Sequence, residues 1–206
     1  MVVERLGRTC REVHVVSVGG ECKELLVWMD KNWASRVSEE GVATTYDLVL
    51  YESGTTFRCP ADVEKTSVPA FAEADELEAA GYLFEPGKSL LKAGLFNFIS
   101  AHFGVKKLGL STHYYLVPEE TAAETLELLK GLGKVMPIRE VVEFNKRSLK
   151  DLAERYPHCE VTARNLPITS DQFRKKMKVA SGDDAHLYAL RTDTGGNLIF
   201  VCLQGR

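Results

Sequence analysis

Residues 13 to 26 read V-H-V-V-S-V-G-G-E-C-K-E-L-L, and this stretch limits the possible folds more than any other in the chain. Valine is stiff at χ1, so the valine-rich run over 11–18, with Val13, Val15, Val16 and Val18, favours a strand buried on both faces, as in a parallel sheet. Gly19 and Gly20 end it. Beyond them Leu25, Leu26 and Met29 fall at helical spacing, which predicts a strand–turn–helix unit. The polar segment S-R-V-S-E-E-G then leads to a second strand, V-A-T-T-Y-D-L-V-L-Y, and E-S-G-T-T-F-R-C makes a tight turn into a third.

The glycine corner invites a test for nucleotide binding. A dinucleotide fingerprint needs G-x-G-x-x-G, so that the backbone turns, admits a pyrophosphate and packs helix on strand. Here only G-G-E-C-K-E is present, and Lys23 lacks both the glycine frame and the following hydroxyl of a phosphate loop. Glu21 would also put negative charge where a phosphate sits. The corner therefore reads as structural. Glu21 and Lys23 remain cleft candidates, because open α/β sheets bind ligands beyond the carboxyl ends of their strands.

Further along, an acidic stretch over 67–80 reads as a linker or short helix, and G-Y-L-F-E-P as a short strand whose proline opens a helix. That helix, over 87–103, carries Leu91, Leu95, Phe98, Ile99 and His102 on one face. Glu85 and Lys92 flank its start, either as a structural pair or as cleft residues. A strand over 112–117 and an acidic-first helix follow, the latter stopped near Gly131 and Gly133. The last third reads strand (136–144), helix (146–155), strand (159–165), helix (170–178), strand (185–192) and strand (197–203). Asn145 and Ser170 are the expected N-caps, and T-D-T-G-G-N is a hairpin signal.

Charge is uneven along these elements. The net charge of −3 divides into −7 over 1–144, +5 over 145–178 and −1 over the remainder. The basic segment holds Lys146, Arg147 and Lys150 on one predicted helix and Arg174, Lys175, Lys176 and Lys178 on the next, with Arg164 and Asn165 after the strand between. Helices on one side of a sheet would gather these donors into a phosphate-binding patch, although solvated helices carry lysines in any case. Five cysteines without a C-x-x-C pair fit a reducing compartment, and no ligand spacing suggests a metal site. No apolar run reaches the 18 to 20 or so residues of a membrane span, and a cytoplasmic location is expected.

Three motifs carry a family resemblance: V-S-V-G-G-E-C-K-E-L-L; Y-L-F-E-P-G-K-S-L-L-K-A-G-L-F with F-G-V-K-K-L and T-H-Y-Y after it; and V-T-A-R-N-L-P-I-T-S-D-Q-F-R-K-K-M-K-V. In these the sequence resembles the class I S-adenosylmethionine-dependent methyltransferases with C-terminal ferredoxin-like and THUMP-like domains. The family's F-P-G-R element stands here as V-M-P-I-R-E. The resemblance implies mixed α/β and α+β architecture. Residues 1–75 would be the tail of a Rossmann-like methyltransferase sheet (strand, helix, strand, strand), 76–135 a ferredoxin-like unit and 136–206 a THUMP-like domain. In the family the cofactor sits on a glycine loop after strand 1, an acidic residue ending strand 2 and often an N/D-P-P motif after strand 4. None of the three is in this chain, so no catalytic or cofactor residue is assigned and no S-adenosylmethionine is expected to bind it.

Two functions follow as expectations. In the first, the chain is the substrate-recognition region of an RNA methyltransferase, inactive alone, its partners being RNA and a missing N-terminal catalytic domain. In the second, it is a non-catalytic protein-interaction module that dimerises through an open sheet edge at 13–18.

Overall fold

The computed structural model describes residues 9–33, 46–78 and 81–203. The polar connection at 35–41 and the first residues of the second expected strand lie outside them. Two sheets organise the chain, giving mixed α+β architecture. Contacts gather it into two compact units, one from 1–68, 86–99 and 130–133, the other from 69–85, 100–129 and 134–206. This grouping differs from the three consecutive sequence segments.

The first unit holds a four-stranded sheet of β1 (Cys10–Val18), β2 (Glu21–Met29), β3 (Asp47–Glu52) and β4 (Thr55–Pro60), in the order β2-β1-β3-β4. β1 runs parallel to β3 and antiparallel to β2. The helix expected after the glycine pair is therefore a strand. Gly19 and Gly20 take φ of 61° and 77°, and two consecutive positive φ values form the two-residue hairpin turn whose twist matches paired strands. That geometry, with Val18 opposite Glu21 and Val15 opposite Leu25, overrides the helical spacing of three apolar residues. β1 is paired on both sides, so 13–18 is interior and the open edge there is corrected to β2.

Alternation along these strands sets the core. Val13, Val15, Leu48 and Leu50 are buried, and α3 (Lys88–Ala93) packs on β1 and β3. The opposite face carries polar side chains in a chain of contacts. Glu12 accepts from His14 Nε2 at 2.8 Å and from Arg58 Nη1 at 3.1 Å, and Arg58 also reaches Asp47 at 3.1 Å. Burial alone would raise the Glu12 pKa, but the His14 and Arg58 hydrogen bonds outweigh it and hold the carboxyl below its usual value.

The helix expected over 87–103 is two, α3 and α4 (Phe96–Phe103), divided where Gly94 takes a left-handed φ of 77°. Pro86 ends strand β5 (Gly81–Pro86) instead of opening the helix, and Gly87 is the N-cap. Two shorter helices precede them, α1 (Val63–Thr66) and α2 (Ala74–Glu78).

The second unit carries the seven-stranded sheet. Besides β5 it contains β6 (Lys106–Lys107), β7 (Tyr115–Pro118), β8 (Gly133–Glu143), β9 (Glu160–Arg164), β10 (His186–Thr192) and β11 (Gly196–Cys202), in the order β6-β7-β5-β8-β11-β10-β9. A 3₁₀ turn over Glu119–Thr121 leads into α5 (Ala122–Leu129), and α6 (Lys146–Arg155) and α7 (Ser170–Met177) follow. Residues 187, 189, 199 and 201 pack with Leu149 and Leu152 of α6 and Phe173 and Met177 of α7. Their neighbours 188, 190, 198 and 200 pack on the other face with Leu83, Leu116 and Leu77. The period of two thus buries both faces of this sheet.

Candidate nucleic-acid interface

Helices α6 and α7 share one face of the large sheet because each presents an apolar stripe to it, and their outer surfaces become neighbours. The α6 N-cap is Asn145, as the sequence suggests, accepting from Ser148 N at 2.9 Å. In α7 the cap is Thr169, one residue earlier than expected. Thr169 accepts from Gln172 N at 3.2 Å while Gln172 Oε1 accepts from Thr169 N at 2.8 Å, a reciprocal capping box. Ser170 instead accepts from Ala163 N at 3.0 Å.

Between the two helices runs a surface groove of about 350 Å³. Leu149, Ala153 and Met177 form its floor, and Lys146, Lys150, Lys176, Lys178 and Glu154 line its sides. Four cations thus face one anion. Lys150 lies 3.8 Å from Glu154, but both are strongly exposed, and such i,i+4 pairs contribute only about 0.3–0.5 kcal/mol, so a phosphate competes readily for this lysine. Lys176 sits 5.6 Å from the ring centre of the half-buried Phe144.

The other sequence candidates separate from this groove. Arg147, Lys175 and Arg164 are exposed but do not line it. Asn165 and Arg174 are committed to the fold. Asn165 Nδ2 donates to Ser111 O at 2.6 Å and Thr112 Oγ1 at 2.9 Å, and Arg174 donates to Cys159 O at 2.8 Å and Glu160 Oε2 at 2.7 Å. Bonds from Ser181 and Arg174 hold the Glu160 carboxyl below its usual pKa despite some burial. Arg155, in the same basic segment, is held by Glu140 and Asp151. Four of the segment's cations, Lys146, Lys150, Lys176 and Lys178, thus share the groove.

The cleft candidates fare differently. Glu21 and Lys23 pair with each other on the exposed strand β2, which is not the carboxyl end of a βα unit. Lys92 is exposed in the last turn of α3. Glu85, on β5, accepts from Tyr114 Oη at 3.0 Å, and burial followed by the Glu85 charge pushes the Tyr114 pKa up. Sequence reasoning missed the apolar floor of the groove and Phe144. Their signal was present in the spacing of Leu149 and Ala153, which places both on the inner side of α6.

The geometry thus defines an α+β chain with a lysine-lined groove on two helices that cover a mixed sheet. Residues 133–204, which contain the groove, match the THUMP domain-like family, and residues 82–122 match a ferredoxin-like domain family. The chain is also similar in fold to the crystal structure of a "putative methyltransferase from Porphyromonas gingivalis W83", with a TM-score of 0.75 and 24% identity. The match covers 96% of this chain and 46% of that one, so this chain spans less than half the length of its structural neighbour. No curated protein gives a significant match. Among the described residues no helix is long and apolar enough to cross a membrane.

Proposed function

We propose that the chain is the RNA-recognition part of an S-adenosylmethionine-dependent methyltransferase system and that it grips the phosphate backbone in the α6/α7 groove. The observation that carries this reading is the convergence of Lys146, Lys150, Lys176 and Lys178 on one groove within the THUMP domain-like segment. Lysine ammonium groups act as point charges with three donors each, which suits sequence-independent contact to phosphates. Released counterions drive such binding, so affinity falls steeply with salt.

The reading assigns methyl transfer itself to a catalytic domain, with the first unit as the tail of its sheet. Among the described residues, the corner that most resembles a nucleotide loop does not fit the cofactor. Gly19 and Gly20 close a hairpin, and Glu21 and Lys23 neutralise each other on an exposed strand.

Fluorescence anisotropy with a labelled structured RNA, titrated at several salt concentrations, tests the proposal. Replacing the four groove lysines by alanine should lower affinity and reduce the slope of log K against log salt by about 1 per lysine. Absence of binding at low salt, or an unchanged slope in the quadruple variant, would overturn it.

A further inference from the structure

The lysine groove has features that phosphate contact alone does not need. Lys146, Leu149, Lys150, Ala153 and Glu154 follow at i, i+3, i+4, i+7 and i+8, so one stripe of α6 forms a wall about 12 Å long at 1.5 Å per residue. Met177 adds a thioether between Lys176 and Lys178 on the other side. The two ends of the groove differ. Glu154 stands at one, where its carboxylate repels a phosphate, and Lys146 stands at the other, two residues after Phe144.

Phe144 is both fixed and accessible. Its N–H donates to Asn197 O at 2.9 Å, and its ring packs on Phe173 with centres 5.6 Å apart, so the backbone and the inner side of the ring are held by the fold. The side chain is only half-buried, and what stands over the ring is the ammonium of the exposed Lys176.

We infer, on the RNA-binding reading above, that the groove takes an unpaired RNA strand, with its backbone between the lysines and one base stacked on Phe144. A duplex keeps its base faces stacked inside, so it meets only the lysines at the rim and leaves the Phe144 ring unused. An unpaired strand turns its bases outward. Aromatic side chains stack on such bases whatever their identity, because every base has a π-face. Lys176 changes partner in the process: it gives up a weak exposed cation–π contact for a charge-assisted bond to phosphate, and the base takes its place over the ring. Met177 suits the same occupant, since a polarizable sulfur packs favourably against aromatic rings. Glu154 keeps the phosphates at the Phe144 end.

The test uses the whole chain and two probes, an unpaired labelled RNA of about 12 nucleotides and the same strand annealed to its complement. At low salt the unpaired strand should bind at least about tenfold more tightly than the duplex. Phe144→Leu keeps an apolar side chain against Phe173. It should lower affinity for the unpaired strand by about five- to 150-fold, with duplex affinity and the salt slope unchanged, and Phe144→Tyr should restore the loss. Equal affinity for the two probes would overturn the inference, as would Phe144→Leu binding the unpaired strand as the wild type does. A loss on both probes together with a lowered urea midpoint would confine Phe144 to the core and overturn it too. If neither probe binds at low salt, the RNA-binding reading falls with it. Tight duplex binding that depends on the groove lysines would instead leave that reading standing and remove only the unpaired strand.

Discussion

Glu52 caps a helix from outside it: its Oε2 accepts from both the backbone N–H and the hydroxyl of Ser89, each at 2.9 Å. The first turn of α3 has no acidic residue, and its N-cap, Gly87, has no side chain to accept a bond. The carboxylate at the end of β3 supplies what the helix lacks, and Ser17 Oγ holds its other oxygen at 3.1 Å. Gly87 belongs to the same arrangement, because a Cβ there would lie 2.3 Å from Glu52 Cδ. Held by three hydrogen bonds, Glu52 has no low-cost way to move aside. Gly87→Ala is expected to lower stability by about 1–3 kcal/mol. Glu52→Ala, which strands buried donors, should cost a similar amount of about 1–3 kcal/mol. Urea unfolding of each variant followed by circular dichroism checks both, and a double variant losing no more than the larger single loss would show that they share one cause.

Glu64 repeats the device for α4. It accepts from Asn97 N at 2.8 and 2.9 Å and from Phe98 N at 2.9 Å, so the Gly94 break between the two helices is stabilised at its far side. Glu64→Gln keeps an acceptor and should cost little, whereas Glu64→Ala should cost about 1 kcal/mol, the usual loss of a cap. Amide exchange at Asn97 and Phe98 gives a local readout. Faster exchange there in the alanine variant, with the large sheet unaffected, is the expected pattern.

These caps also explain what the sequence could and could not disclose. The last third was legible almost element by element, because its strands are runs rich in apolar and β-branched residues, each helix has a local cap, and Thr192–Gly196 closes a hairpin with turn residues of its own. The α6/α7 lysines were legible as a charge excess for the same reason. What failed was non-local. Nothing near Leu25 says that Val15 lies opposite it, and three apolar residues fit both a helix face and a hairpin edge. The two positive φ values at Gly19 and Gly20 decided between them, and a glycine pair between two apolar runs is itself a hairpin signal. Similarly, Arg174 and Asn165 resemble their basic and polar neighbours in sequence. Only the position of Cys159 O and Ser111 O assigns them to the fold.

That distinction between Arg174 and the groove lysines is measurable. Arg174→Ala removes bonds to Cys159 O and Glu160 at the edge strand β9, so it should destabilise the chain by about 1–3 kcal/mol. Its effect on the salt slope of RNA binding should be small compared with that of Lys146→Ala or Lys176→Ala. The lysine variants should do the reverse, leaving the urea midpoint within about 0.5 kcal/mol of wild type while lowering the slope. Equal effects on binding from Arg174 and the lysines would contradict the assignment of these roles.

Thiol chemistry offers an independent check on burial. Burial first and the Asp47 charge second push the Cys59 pKa up to about 11, burial pushes Cys159 up to about 11 against the lowering charge of Arg174, and burial pushes Cys202 up to about 12. Cys10 is shifted in the same direction. At pH 8 a thiol at about 11 is ionised to roughly one part in a thousand, and the thiolate is the nucleophile. Cys22, half-exposed on β2, should therefore react first with iodoacetamide, giving one fast equivalent per chain. The other four should label only in denaturant. Because these four pKa values are raised, folding disfavours their ionisation. Stability contributed by the neutral thiols should persist through neutral pH and decline as pH rises above the ordinary thiol range.

Lys178 separates stability from binding at a single position. It ends α7 with a left-handed φ of 59°, its N–H bonded to Arg174 O at 2.9 Å, and it also lines the lysine groove. A side chain in this conformation is strained by about 1–2 kcal/mol, and glycine is the residue that relieves the strain. Lys178→Gly should therefore raise the urea midpoint by an amount equivalent to about 1 kcal/mol, while Lys178→Ala should leave it unchanged or lower it. Both variants remove one cation, so both should weaken RNA binding and reduce the salt slope by about 1. A chain that becomes more stable yet binds less tightly is the expected signature of a helix terminus held in strained backbone while its charge serves the groove. If Lys178→Gly instead binds RNA as the wild type does, Lys178 belongs to the helix end alone and the groove has three working lysines.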